Sequence, residues 1–289
     1  MRVVNLSPGF DPFPKEIERL QFESFVFKGG EPHIKFLYET TQDFGLRQER
    51  ILLSHRVHSF EDMGLLLVAV DALRRMGARE IDLLLPYFPG ARQDRVMVAG
   101  EPLTVKVYAE LINQLQLNSV SIFDPHSEVT PALLNNCKVI DNTEFIKSCL
   151  AQLDPKTVLV SPDAGALKKV YHLSKQLGGI PIIECGKKRD VSTGQLSGFV
   201  VHTETLEGMK CLNVDDICDG GRTFLGLAEK LKEKGADEIS LAISHGIFSY
   251  GIEQLLAEFQ EIFCSNSFVN NQTADRLITF EIRRSFIEL

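Results

Sequence analysis

Apolar residues follow two rhythms along this chain: short, nearly continuous runs that close on Gly, Pro, Ser or Asp, and longer stretches where they return every three or four positions. The runs predict strands and the stretches predict helices. Gln21–Phe27 and His33–Tyr38 alternate well enough to pair as a hairpin around Gly29-Gly30. Further strands are predicted at Arg50–Ser54, Ile81–Leu85, Ser119–Phe123, Thr157–Val160, Ile180–Cys185, Val200–His202, Met209–Val214, Ile239–Ile243, Ile262–Cys264 and Leu277–Ile282. In Glu61–Met76, Met63, Leu66, Leu67, Val70 and Leu73 form a helical stripe that Gly77 stops. Other helices are expected from Glu101 to Leu115, from Asp163 to Leu177, from Phe224 to Gly235 and over Ile252–Phe259. Before Lys28 the pattern is mixed, and Pro8, Pro12 and Pro14 break any early helix.

Strands alternating with helices imply an α/β fold, with right-handed crossovers and a parallel sheet in each half. A length of 289 residues allows two domains of about 140 residues, each with its own core. The boundary is expected within Glu144–Asp154, giving domains 1–147 and 148–289.

Composition narrows the partners. No uncharged apolar run approaches the roughly 20 residues that cross a bilayer, and the N-terminal residues lack the apolar core and cleavage site of a signal peptide. A cytoplasmic protein with no membrane partner is expected. The six cysteines are scattered, with no C-x-x-C pair, and read as reduced thiols. A net charge of −8 opposes general attraction to nucleic acid and favours a small phosphorylated ligand.

The chemistry concentrates where strands end. Val214-Asp215-Asp216-Ile217-Cys218-Asp219-Gly220-Gly221-Arg222-Thr223-Phe224 reads as strand, acidic loop and helix. Peptide N–H groups around Gly220 and Gly221 at a helix N-terminus suit a phosphate, and Asp215 and Asp216 suit ribose hydroxyls or magnesium. An ordinary turn with solvated acids has the same pattern, and the lysine of a P-loop is missing. Ile81–Leu85 runs into Arg92-Gln93-Asp94-Arg95, a basic loop beyond a strand's carboxyl end, where ligands of open sheets sit. His126 follows another strand and is either a metal or phosphate ligand or a structural residue. Asp163 is a helix N-cap, a functional carboxylate or both. Gly186-Lys187-Lys188-Arg189-Asp190 is a basic loop opening a Ser-, Thr- and Gly-containing segment, able to close over phosphates.

Taken in order, Phe27-x-Gly29-Gly30-Glu31, Asp71-Ala72-Leu73-Arg74-Arg75, Pro86-Tyr87-Phe88, Ala91-Arg92-Gln93-Asp94-Arg95, Glu101-Pro102, Asp124-x-His126, Ser161-Pro162-Asp163-Ala164-Gly165, Lys187-x-Arg189, Val214-Asp215-Asp216 and Ser244-His245-Gly246-Ile247-Phe248-Ser249 resemble the ribose-phosphate pyrophosphokinases, or phosphoribosyl-pyrophosphate synthetases. The resemblance implies two domains of the type I phosphoribosyltransferase fold. It implies a magnesium-dependent transfer of the β,γ-diphosphate of ATP to the C1 hydroxyl of ribose 5-phosphate, and a homo-oligomer, dimer or hexamer. Carried over by position, Phe27 and Glu31 would line the adenine pocket, and Arg92, Gln93 and Asp94 would form the ATP loop. His126 and Asp163 would serve the metal, and Lys187 and Arg189 would act as catalytic cations. Asp215, Asp216 and Asp219 would hold the ribose, with Gly220, Gly221, Arg222 and Thr223 around its 5-phosphate.

Several positions depart from the family pattern. Gly29 replaces an aspartate, Val96 and Gly100 stand where basic residues are usual, and the chain ends at Leu289 without the family's C-terminal helix and tail. Gly220-Gly221-Arg222-Thr223 replaces a Thr-(Ala/Cys)-Gly-Thr run, losing a hydroxyl donor and gaining a planar cation. One alternative is therefore the same chemistry on ADP-ribose, as in NAD salvage, with Gly220 leaving room for a second phosphate. Another is a non-catalytic partner that regulates an active synthetase. A phosphoribosyltransferase would explain the acidic loop alone, but not the Arg-Gln-Asp-Arg loop.

Overall fold

The computed structural model describes residues 1–37, 46, 49–189, 196–268 and 274–282, with only the backbone of 188, 189, 196 and 197. Tyr38, Asp190 and most of the Ser/Thr/Gly segment after it lie outside the described residues, as does the Arg189 side chain. The chain divides into two compact units, Met1–Ile140 rejoined by Ile282, and Asp141–Glu281.

The first unit is a five-stranded parallel sheet in the order β1-β4-β5-β6-β7, made of Arg2–Asn5, Arg50–Ser54, Glu80–Leu85, Ser119–Phe123 and Cys137–Ile140. Phe22–Val26 (β2) and Pro32–Phe36 (β3) form a separate antiparallel hairpin. Helices α1 (Phe60–Arg75), α2 (Thr104–Gln114) and α3 (Val129–Leu133) complete it. Ser59 starts α1 through a capping box with Asp62. The apolar stripe of α1 is buried at Met63, Leu66, Val70 and Leu73, with Ala69 taking the inward position while Leu67 is only partly buried. Strand β1, strand β7 and helix α3 have no counterpart in the sequence reading.

The second unit is a seven-stranded sheet in the order β10-β9-β8-β11-β12-β13-β14. Its strands are Val158–Ser161 (β8), Ile182–Arg189 (β9), Leu196–Val201 (β10), Lys210–Cys218 (β11), Glu238–Gly246 (β12), Ile262–Ser265 (β13) and Leu277–Phe280 (β14). All pairings are parallel except β10 against β9, so this sheet is mixed at one edge. Four helices, α4 (Thr143–Leu150), α5 (Ala164–Gln176), α6 (Arg222–Glu233) and α7 (Glu253–Glu258), accompany it. The contact division lies at Ile140/Asp141 and not at 147/148. Helix α4 goes with the second unit because Phe145, Ile146 and Cys149 are buried there, the Phe145 ring meeting Phe280 edge-on with centroids 5.8 Å apart.

Two predicted loops are strand. Gly186–Arg189, read as a basic loop, continues β9 because β10 pairs with it, Phe199 opposite Lys187 and Val200 opposite Gly186. Asp215 and Asp216, read as delivered to a turn, lie inside β11, whose register with β12 runs on through Asp215↔Ile243 and Ile217↔His245. No described helix is long and apolar enough to cross a membrane.

Candidate functional site

In the second unit the three neighbouring strands β9, β8 and β11 end side by side, and their carboxyl ends carry the charged groups. Just beyond β8, Asp163 adopts the extended backbone of an N-cap, and its Oδ1 accepts from Gly165 N at 2.9 Å and Ala166 N at 3.1 Å. Its other oxygen, Oδ2, lies 2.6 Å from Lys187 Nζ on β9. Burial alone would raise the Asp163 proton affinity. The ammonium of Lys187 and the two N–H groups outweigh it and hold the carboxyl below its usual range.

On β11, Asp216 is buried and its Oδ2 lies 3.5 Å from Lys169 Nζ, on α5. Half-buried Asp215 accepts from Asp216 N through Oδ1 at 2.9 Å. Burial, then the charge of Asp216 and of Asp163, push Asp215 well above the ordinary carboxylate range. Of the two adjacent acids, Asp216 lies beside a cation and Asp215 favours its proton.

The loop after β11 turns into the N-terminus of α6, the candidate anion cradle. Gly221, at φ 76°, takes the left-handed conformation at the N-cap of α6 and offers no side-chain cap. The leading N–H groups of α6, on Arg222 and Thr223, therefore point outward without an intrahelical acceptor. The loop after β12 is bonded to this turn: Ile247 N and Phe248 N donate to Cys218 O at 2.8 and 3.1 Å, and Ser249 N donates to Asp219 O at 3.1 Å. Gly220 does not open onto empty space, as the sequence suggested. Tyr250 Cδ2 and Cε2 lie 2.9 Å from where a β-carbon at Gly220 would stand. The Arg222 guanidinium lies 5.7 Å from the centroid of the same ring. Behind the cradle, Gly226 of α6 is met as closely by the Phe199 ring from β10, 2.5 Å from its β-carbon position. His245 is buried, with Nδ1 2.7 Å from Ser267 Oγ, and is part of the framework.

The remaining predicted residues lie in the first unit. Phe27 and Glu31 close the β2–β3 turn, Phe27 N donating to Glu31 O at 2.9 Å. The exposed Phe27 ring clusters with Phe25 and His33, centroids 4.8 and 5.6 Å away. Glu31 places its carboxylate 2.5 Å from the β-carbon position of Gly29, occupying the space a side chain there would need. After β5, buried Tyr87, Phe88 and Ala91 anchor a loop on which Arg92 and Gln93 are exposed and Asp94 is half-buried. Gly90 there has φ 70°, with Thr104 Cγ2 3.1 Å from its β-carbon position. Val96, Met97 and Val98 follow as an exposed turn held by Glu101 Oε2, which accepts from Met97 N at 2.9 Å and Val98 N at 3.2 Å. His126 is half-buried just past β6, behind Asp124, whose φ is 38°.

The fold thus gathers Asp163, Lys187, Asp215 and Asp216 in one place, beside Asp219 to Thr223. Phe27 with Glu31, Arg92 with Gln93 and Asp94, and His126 belong to the other unit. Sequence reasoning missed Lys169 and Tyr250. Lys169 lies on a helix where lysines are ordinary, and a lone exposed aromatic has no period to betray it.

Comparison with known proteins bears on the family and the fold. Residues 135–271 match the phosphoribosyl transferase domain, and residues 47–115 match the N-terminal domain of ribose phosphate pyrophosphokinase. The chain is 30% identical to a ribose-phosphate pyrophosphokinase of Thermosipho africanus over 225 residues, 75% of this chain and 69% of that protein. It is 35% identical to the Vibrio cholerae enzyme of the same name over 199 residues, 64% of this chain and 59% of that protein. Among solved structures, phosphoribosylpyrophosphate synthetase from Mycobacterium smegmatis shares the fold, with a TM-score of 0.81 at 21% identity, over 98% of this chain and 94% of that one. With two phosphoribosyltransferase-type domains in the same order and this level of identity, the chain belongs to the ribose-phosphate pyrophosphokinase family of transferases.

Proposed function

We propose that the chain transfers the β,γ-diphosphate of ATP to the C1 hydroxyl of a ribose 5-phosphate, giving phosphoribosyl pyrophosphate and AMP. The observation that carries this reading is the convergence of Asp163, Lys187, Asp215 and Asp216 at the ends of three adjacent strands, beside the open N-terminus of α6. Transfers of this kind need alignment and charge neutralisation more than covalent chemistry.

In the step itself the C1 oxygen bonds to the β-phosphorus. The bond from that phosphorus to the oxygen shared with the α-phosphate breaks, AMP leaves with that oxygen, and the proton of the C1 hydroxyl passes to solvent. The N–H groups around Gly220 to Thr223, with Arg222, hold the 5-phosphate. Asp215, Asp216 and Asp219 accept hydrogen bonds from the ribose hydroxyls. Lys187 and Arg189 neutralise the charge that develops on the moving diphosphate. Phe27 and Glu31 receive the adenine, and Arg92, Gln93 and Asp94 the polyphosphate.

Magnesium suits this donor set. The ion takes one or two carboxylates together with substrate phosphates and water. Asp163 is held ionised, and no group of three His, Cys, Asp or Glu side chains among the described residues forms a cage without substrate. Asp163 would hold it in the second unit, and it would neutralise the ATP phosphates; His126, in the first unit, is proposed separately as a metal ligand. A homo-oligomer, dimer or hexamer, belongs to the same reading, since the exposed Phe25, Val26 and Phe27 give the hairpin an apolar surface to bury.

The test is to incubate pure protein with magnesium, ATP and ribose 5-phosphate or an esterified ribose 5-phosphate, and to follow AMP by chromatography. One AMP per activated sugar is expected. ATP left intact with every acceptor would sink the proposal and favour a non-catalytic partner of an active synthetase.

A further inference from the structure

Tyr250 stands at the acceptor end of this site, and none of the roles above uses it. Its side chain is 72% exposed, so it returns little to the fold through burial. Its position is nevertheless fixed. The three hydrogen bonds from Ile247, Phe248 and Ser249 fasten its loop to Cys218 and Asp219, and Phe248 takes a left-handed φ of 48° on the way. The ring then lies against Gly220, two of its carbons 2.9 Å from the β-carbon position, with the Arg222 guanidinium 5.7 Å from its centroid. A side chain at Gly220 would displace the ring, so the bare glycine is the seat on which the aromatic rests.

We propose that Tyr250 and Arg222 form a stacking platform that selects acceptors whose 5-phosphate is esterified to a second phosphate carrying a planar base, the nucleoside diphosphate riboses. The proposal rests on the diphosphate-transfer reading of the same site. The guanidinium lies over one side of the exposed ring, and a base stacks on the ring's other face or on the outer plane of the guanidinium. The guanidinium also answers the charge of the added phosphate, with paired donors suited to its oxygens. A free ribose 5-phosphate ends at its phosphate and has nothing planar to lay on the ring.

The test compares AMP release with ribose 5-phosphate and with ADP-ribose as acceptors, for the wild type, Tyr250→Phe and Tyr250→Ala. The wild type is expected to use ADP-ribose. The ratio of kcat/KM for ADP-ribose over ribose 5-phosphate should fall roughly tenfold in Tyr250→Ala, mainly through KM, as loss of a base-stacking ring does elsewhere. Tyr250→Phe keeps the ring and should keep the ratio, which separates stacking from loss of folding. A wild type that releases AMP with ribose 5-phosphate but not with ADP-ribose overturns the proposal. So does a ratio that is unmoved, or raised, in Tyr250→Ala, the raised ratio showing the ring to be an obstacle. Failure of the underlying transfer reading is distinct, because no acceptor then gives AMP at all, and the selection proposal falls with it.

Discussion

Lys187 Nζ lies 2.6 Å from Asp163 Oδ2, so the lysine assigned to the moving diphosphate rests, without substrate, on the carboxylate assigned to the metal. Both side chains are about three-quarters covered, at 29% and 24% exposure, which makes the pair stronger than a surface ion pair.

Lys187→Ala should leave the fold intact and lower AMP formation by about 10²–10³-fold, the usual loss when a group that stabilises transition-state charge is removed. Steady-state AMP release beside a circular-dichroism melt checks both halves. Unchanged AMP formation would show the assignment to be wrong.

Asp163 has two separable duties. Asp163→Asn keeps an oxygen for Gly165 N and Ala166 N and removes the charge, whereas Asp163→Ala removes the cap as well. Both should abolish AMP formation and lose the Lys187 ion pair, but the alanine variant should lose about 1 kcal/mol more stability than the asparagine variant, read by urea unfolding.

Asp215→Asn should raise the melting temperature at pH 7. The folded protein raises the proton affinity of Asp215. As pH climbs past the ordinary carboxylate range, the unfolded chain ionises more readily and the fold loses stability. The gain from the neutral amide should therefore shrink as pH falls through that range, while Asp163, shifted downward, contributes in the opposite sense. Melts of both proteins across pH 4 to 8 test the sign.

His55 predicts acid sensitivity in the first unit. It is buried, with Nδ1 2.8 Å from Ser7 Oγ and Nε2 3.0 Å from Asp62 O. A carbonyl only accepts, so the proton sits on Nε2 and Nδ1 accepts from Ser7. Burial lowers its pKa to about 4, so the unfolded chain takes up the proton first as pH falls below about 6.5. Stability should drain away from there down to about pH 4, approaching a loss of about 3 kcal/mol. Urea titrations at pH 7.5 and 4.5, with His55→Gln as the variant that cannot titrate, check it.

Gly220→Thr restores the residue usual in the family and should push Tyr250 aside, costing less than about 1 kcal/mol because the displaced ring is exposed. Adding Tyr250→Gly should recover most of the loss. A double-mutant cycle by thermal unfolding gives the coupling, and strict additivity would mean that the two residues do not touch in solution.

The sequence made the central strands plain because β5, β8 and β12 are buried on both faces and read as nearly continuous apolar runs. The stripe of α1 and the acidic loop before α6 were legible for similar reasons. What escaped was set by pairing. Gly186-Lys187-Lys188-Arg189 has no strand pattern of its own and is extended because β10 lies beside it, and Asp215 and Asp216 stay in β11 because β12 continues alongside. Strand β1 is too short to carry a period. The Tyr250 seat depends on two loops meeting, which no local pattern encodes.

Phe199 lies directly across from Lys187 in the ladder, and its ring is lodged against Gly226 in the helix that begins at the anion cradle. The strand that carries Lys187 and the helix behind the proposed phosphate turn therefore meet at this one ring, so a change at Phe199 reaches both.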